Sequence, residues 1–235
     1  MTMTSVLNKV GRFAVDLLYP PRCAVCGSHG TFLCRHCAES LASTKPPRCS
    51  MCWEPCHASD LCDKCRTDTP AFAGLRSAYL FRDGVRELVH RLKYQHQASL
   101  VSPMSSLLYE YMADNPLPAD VLVPVPLFPR RRRIRGYNQS ALLAQGLARR
   151  LGLPVDDRTL VRARNTASQA ETANAEARKL NVSGAFQCKG GALRSKRVLL
   201  IDDVATTGAT LNACAQALRE AGAASVWALT FARED

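Results

Sequence analysis

The sequence predicts an α/β protein, a parallel sheet flanked by helices, preceded by a small cysteine-rich region. Three observations carry that expectation. From residue 120 onward, apolar runs of strand length alternate with segments of helical period, the pattern of strands joined by helical crossovers. Nine of the eleven cysteines fall before residue 66, so the front of the chain has a chemistry of its own. One apolar run, VLLIDDVATTGAT at 198–210, ends on two adjacent aspartates and a turn of small and hydroxylic residues.

With 235 residues, the chain has room for one domain with an appendage or for two small ones. The division expected is 1–70 and 71–235. A net charge of +11 favours anionic partners without naming one. Most of the excess lies in 71–235, with 23 Lys/Arg against 14 Asp/Glu.

At the front, SVLNKVGRFAVDLLYP sets Val6, Leu7, Val10, Phe13, Leu17 and Leu18 at helical spacing, interrupted by Asn8, Lys9, Gly11, Arg12 and Asp16. This is the pattern of an amphipathic helix and not of a signal peptide or a membrane span. No membrane insertion is expected, and the cytoplasm is the expected compartment.

Four Cys-x-x-Cys pairs follow: Cys23/Cys26, Cys34/Cys37, Cys49/Cys52 and Cys62/Cys65. A two-residue spacer lets both sulfurs of a knuckle face one ion, and two knuckles complete a tetrahedron of thiolates. Eight ligands suffice for two Zn²⁺ ions, a reading favoured over disulfides or an iron–sulfur cluster by ligand type and spacing. Consecutive pairing gives two tandem ribbons; the spacing also permits a cross-braced arrangement, first pair with third and second with fourth. All-thiolate sites have no open position for water and are expected to be structural. So small a ribbon has little apolar core, which makes metal the main source of its folding free energy. Cys56 and His57 are surplus to the ligand sets. Cys188 and Cys214 are expected as small buried residues.

In the second region, Val85, Leu88, Val89 and Leu92 mark a helix that ends with Lys93 and Tyr94; the lysine charge faces either a site or solvent. The strand ADVLVPVP and the basic loop PRRRRIRG come next, then the helix NQSALLAQGLARRLG. Residues 162–183 are polar and Ala-rich and suit a flap carrying Arg162, Arg164, Arg178 and Lys179. RVLLIDDV is a strand, TLNACAQALREAG a helix and ASVWALTFA a last strand. Ligands are expected beyond the carboxyl ends of such strands.

The two acids and their turn lie at one of those ends. Thr206, Thr207, Gly208, Ala209 and Thr210 occupy the turn into a helix. There the backbone amides point outward, small side chains allow close approach, and hydroxyls add donors for a phosphate. Carboxylates repel a phosphate but accept hydrogen bonds from sugar hydroxyls. Acids followed by such a turn therefore have the order ribose, then 5′-phosphate. A helix cap needs one such residue; this stretch has six.

The segment resembles the 5-phosphoribosyl 1-pyrophosphate (PRPP) signature of type I phosphoribosyltransferases. RGYNQSALLA at 135–144, RNTASQAETANAEARKLNVSGAF at 164–186 and the paired knuckles narrow the resemblance to the ComF family, also called the GntX or competence protein F group. That resemblance implies a type I phosphoribosyltransferase-like domain with a hood at 71–118 and a core at 119–235. It implies that Asp202 and Asp203 contact the ribose hydroxyls and that Ala205, Thr206, Thr207, Gly208, Ala209 and Thr210 bind the 5′-phosphate. It places a pyrophosphate loop after Val123–Pro126, here with Arg130, Arg131, Arg132, Arg133 and Arg135, and a Mg²⁺ ion between pyrophosphate and ribose. Transfer of a phosphoribosyl group to a nitrogen nucleophile is the enzymatic expectation. The family also implies handling of single-stranded DNA and contact with DNA-uptake proteins, with PRPP binding regulatory or vestigial. Surplus arginines suit a nucleic-acid strip, and Tyr137 suits either base stacking or packing.

Overall fold

The computed structural model describes residues 20–56, 60–163 and 184–235. The expected N-terminal helix, His57 and residues 164–183 of the expected flap lie outside them. Among the described residues the helices are α1 (Arg35–Glu39), α2 (Asp63–Thr67), α3 (Asp83–Tyr94), α4 (Val101–Asp114), α5 (Pro129–Arg135), α6 (Gln139–Leu151) and α7 (Ala209–Glu220). The strands are β1 (Gly74–Leu80), β2 (Val121–Pro124), β3 (Leu160–Arg162), β4 (Phe186–Cys188), β5 (Arg197–Ala205) and β6 (Ser225–Arg233).

Four of the strands form an all-parallel sheet in the order β1-β6-β5-β2, while β3 and β4 pair as a separate antiparallel hairpin. The interior strands β5 and β6 read as near-continuous apolar runs because helices cover both faces. On one face, α3, α4 and α6 pack Leu88, Leu92, Met104, Leu108, Leu143 and Leu147 against Leu199, Ile201, Leu229 and Phe231. On the other, α7 and the hairpin pack on Val198, Leu200 and Ala228. α4 and α6 approach closely, because a Cβ on Gly146 would lie 2.5 Å from the Ser105 Oγ.

Three features depart from the sequence expectations. Residues 74–80, within the segment placed with the hood, supply a strand of the main sheet, in register with β6 from Gly74↔Trp227 to Leu80↔Arg233. The basic segment expected as a loop is the helix α5, with Pro129 at its start and Gly136 in the left-handed region at its end. Finally, the cysteine regions do not stand apart. Cys23, Leu33, Cys37 and Leu41 join the core of one sheet face, and Cys49, Cys52 and Cys65 join that of the other. The larger domain therefore lends these regions apolar burial in addition to what metal ligation contributes.

Register also opens a space at the sheet's carboxyl end. β2 pairs with β5 only through Pro124↔Ile201, whereas β6 pairs with β5 as far as Ala205↔Arg233. The acids at 202 and 203 thus sit inside a strand, beyond the reach of its β2 neighbour.

Candidate active site

The eight paired cysteines converge in two groups, Cys23, Cys26, Cys34 and Cys37, and Cys49, Cys52, Cys62 and Cys65, with the sulfurs of each group within 4.8 Å of one another. Pairing is consecutive and not cross-braced. In each group the third cysteine caps a five-residue helix that carries the fourth. Backbone amides donate to sulfur from Cys34 to Cys23 at 3.4 Å, from Cys37 to Cys34 at 3.5 Å and from Cys62 to Cys49 at 3.4 Å. Four convergent sulfurs with amide donors behind them suit thiolate ligation of a tetrahedral ion, consistent with two structural zinc ribbons. Cys56 stands outside both groups, Cys214 is fully buried and Cys188 half-buried.

At the sheet's carboxyl end a cavity of about 410 Å³ is lined by Asp202, Asp203, Thr206 and Thr210 on one side. Lys93, Arg131, Arg135 and Arg162 face it from the other elements. The Lys93 Nζ lies 2.9 Å from the Asp203 Oδ2, with the two side chains 21% and 4% exposed. The lysine charge therefore faces the site. Burial alone would depress the Lys93 ammonium, but the Asp203 carboxylate outweighs it and holds the group above its ordinary range. The Ser140 Oγ, in the first turn of α6, donates to the Asp202 Oδ1 at 2.8 Å. Burial, and then the Asp203 charge, push the Asp202 carboxyl up to about 7 despite that bond.

This has a measurable consequence. An unfolded aspartate loses its proton near 3.8, the folded Asp202 near 7, so the folded state holds more protons between the two. The contribution of Asp202 to stability is complete below the lower value and is lost as pH rises through the upper one. Asp202→Asn does not titrate. Its melting temperature should rise relative to wild type between about pH 4 and about pH 7, by the equivalent of on the order of 1–3 kcal/mol. A difference that stays constant across that range would contradict the burial of this carboxyl.

The turn after β5 leads into α7 with no side-chain cap at its N-cap residue. Gly208, at φ 75° and ψ 0°, caps α7 and has no side chain to satisfy the first-turn amides. The Thr207 Oγ1 accepts from Ala209 N only at 3.4 Å. Ala205, Thr207, Gly208 and Ala209 shape the turn, while Thr206 and Thr210 line the cavity. From the side of the second cysteine site, the Lys64 Nζ donates to the Thr207 carbonyl at 3.1 Å and Ala71 N donates to the Asn212 Oδ1 at 2.6 Å. The second ribbon thus braces the turn.

The arginines of α5 divide between its faces. Arg131 and Arg135, one turn apart, line the cavity, and the Arg135 Nη1 donates to the Gln139 Oε1 at 2.6 Å. Arg132 and Arg133 line a second cleft of about 500 Å³ together with Arg162, and Arg130 is exposed. The Tyr137 hydroxyl donates to the Leu92 carbonyl at 2.5 Å, so this ring packs α6 against α3. Sequence reasoning did not single out Ser140 or Gln139, and the Asn138 cap directly before them was the available sign that they begin a helix at the site.

Comparison with known proteins agrees with this anatomy. A double zinc ribbon domain family matches residues 14–69 and a phosphoribosyl transferase domain family matches residues 138–234. The chain is 35% identical over 206 residues to the DNA utilization protein YhgH of Salmonella typhi, spanning 84% of this chain and 89% of the relative. It is 30% identical over 225 residues to competence protein F of Haemophilus influenzae, spanning 86% and 97%. Over 212 residues it is 30% identical to competence protein ComFC of Bacillus subtilis, spanning 86% and 84%.

Proposed function

The chain belongs to the ComF family, and from that premise we propose that it binds PRPP with Mg²⁺ and transfers the phosphoribosyl group to a nitrogen acceptor. One observation carries the proposal: a single cavity joins an acid pair, two threonines at a helix start, and five Lys/Arg side chains. The acids accept the ribose hydroxyls, the turn at 205–210 takes the 5′-phosphate, and Arg131 and Arg135 take the pyrophosphate. The bond from C1 to pyrophosphate breaks and its electron pair leaves with the pyrophosphate. The acceptor nitrogen then bonds to C1 and gives up a proton.

Charge grows on the leaving group as that bond lengthens, and fixed guanidinium groups stabilise it without reorganising. Mg²⁺, when bound, neutralises part of the same charge. Among the described residues only the cysteine sets gather three or more metal-ligating side chains. This fits an ion that arrives held mainly by the ligand's own oxygens, as Mg²⁺ commonly does with substrate phosphates.

The test is untargeted. Protein incubated with PRPP, Mg²⁺ and a cell extract should release pyrophosphate and yield a new ribosylated product. Pyrophosphate release no greater than in extract alone would refute transfer.

A second reading is favoured by the cleft of Arg132, Arg133 and Arg162 and by the competence and DNA-utilization names of the relatives. In it the protein handles single-stranded DNA in the cytoplasm during DNA uptake, and PRPP binding is regulatory. Affinity for a single strand should fall with salt at a log–log slope of about −0.7 per phosphate neutralised. A flat salt dependence would exclude it.

A further inference from the structure

Asp203, on β5, is almost wholly buried, and its charge is met by a lysine from α3. The pair lies 2.9 Å apart, with Lys93 the last charged residue of α3. Adjacent carboxylates in a shared, partly dry site cannot both ionise without a nearby cation. Resting on the PRPP reading above, we propose that Lys93 is a positioning residue. Its ammonium, paired with Asp203, offsets the repulsion that Asp203 exerts on Asp202, one residue away, and so lets Asp202 accept a ribose hydroxyl in its charged form.

Other groups also surround the pair. On β5 itself the Asp202 Oδ1 accepts from the Asp203 amide, and from α6 the neutral Ser140 Oγ reaches the same oxygen. α3 also presents Arg86, His90 and Tyr94 to the cavity. Arg131 and Arg135 of α5, Arg162 of β3 and Glu234 after β6 complete its charged lining. The guanidinium of Arg135 lies 5.2 Å over the Tyr94 ring, with its Nη1 on Gln139. The buried Cys214 thiol is held well above its ordinary range by burial and then by the Asp202 charge, and so stays neutral. Lys93 makes the 2.9 Å ion pair with Asp203, and Arg162 acts on Asp202 through space.

The direction of the effect follows. Without the ammonium, burial and the Asp203 charge act on the Asp202 carboxyl with less to offset them, and Asp202 keeps its proton to higher pH. A lysine that merely touched ligand phosphate would instead weaken binding by one factor at every pH.

The experiment titrates the carboxyls of the full-length protein, γ-¹³C-labelled at aspartate, in wild type, Lys93→Met and Lys93→Arg. The Asp202 signal is assigned by its loss in Asp202→Asn. Lys93→Met should raise the Asp202 midpoint by about 1–2 units, and Lys93→Arg should leave it within about half a unit. PRPP affinity is read as the ratio of variant to wild type, so that titration of the ligand cancels. For Lys93→Met that ratio should fall about 5- to 50-fold at about pH 7 and recover by about pH 9. If Lys93→Met does not fold, Lys93→Gln, which keeps a donor for Asp203 without the charge, should give the same shifts.

An unmoved midpoint, or an affinity ratio equal at every pH, overturns the proposal. A moved midpoint in a protein that binds no PRPP at any pH upholds the role of Lys93 and refutes the phosphoribosyl reading.

Discussion

The double variant Asp202→Asn/Asp203→Asn should lose PRPP binding by at least about 100-fold in the presence of Mg²⁺. A carboxylate accepting from a hydroxyl makes a charge-assisted hydrogen bond, each contributing about 1.5–3 kcal/mol. Two such bonds together exceed the 2.7 kcal/mol or so that 100-fold represents. The amides keep the shape of the site but not its charge, and the NH₂ of each presents a donor where an acceptor is needed. Fold integrity must be read alongside, since Lys93 loses its partner in a largely buried position and breaking such a pair is costly. Zinc content and melting temperature give that control. A folded double variant that binds PRPP as wild type does would remove the acid pair from the site.

The second large effect concerns Cys49→Ser. Cys49 is 0% exposed, its sulfur accepts from Cys62 N, and the second ribbon is sewn into the sheet around it. Leu75 N donates to the Met51 carbonyl at 2.7 Å. The buried Arg233 donates to the Cys52 carbonyl at 2.8 Å and lies 2.5 Å from Glu54. Arg48 makes a bidentate pair with Asp235 at 2.9 and 2.7 Å. Losing this ion should therefore uncover β1 and the end of β6 rather than unravel an isolated knuckle. Expected are a drop from two zinc ions per chain to one and a loss on the order of 3–5 kcal/mol, about 10 °C in melting temperature. The brace from Lys64 to Thr207 should loosen with it. Unchanged metal content with unchanged melting would contradict the assigned ligand set.

How much of this was legible in advance depended on whether the signal was local. The strands at 121–124, 197–205 and 225–233 and the helices at 139–151 and 209–220 are written in contiguous residues, and the structure places them where periodicity put them. Ser140 had no such signal. It meets Asp202 from 62 positions away, and within NQSALLA it reads as an ordinary first-turn residue. Lys93 was legible only in part: the stripe of Val85, Leu88, Val89 and Leu92 fixes the buried face of α3 but not what lies across from its last turn.

The arginine cluster is a different case. Pro129 before the run and Gly136 after it are helix-boundary residues, and helical spacing alone separates Arg131 and Arg135 from Arg132 and Arg133. Read as a loop, all five were equivalent. The strand at 74–80 was missed because GLRSAYL lacks clean alternation, its inward and outward positions being blurred by cover from both sides. Spacing also left the cysteine pairing open, since Cys-x-x-Cys knuckles are interchangeable until the chain between them is folded.

A crystal structure of the protein with PRPP and Mg²⁺ bound measures the central claim most directly. Expected are the 2′- and 3′-hydroxyls on Asp202 and Asp203, the 5′-phosphate on the amides and hydroxyls of 206–210, and the pyrophosphate toward Arg131 and Arg135. PRPP bound elsewhere, with the threonine turn vacant and the acids still engaged only by Ser140 and Lys93, would contradict it.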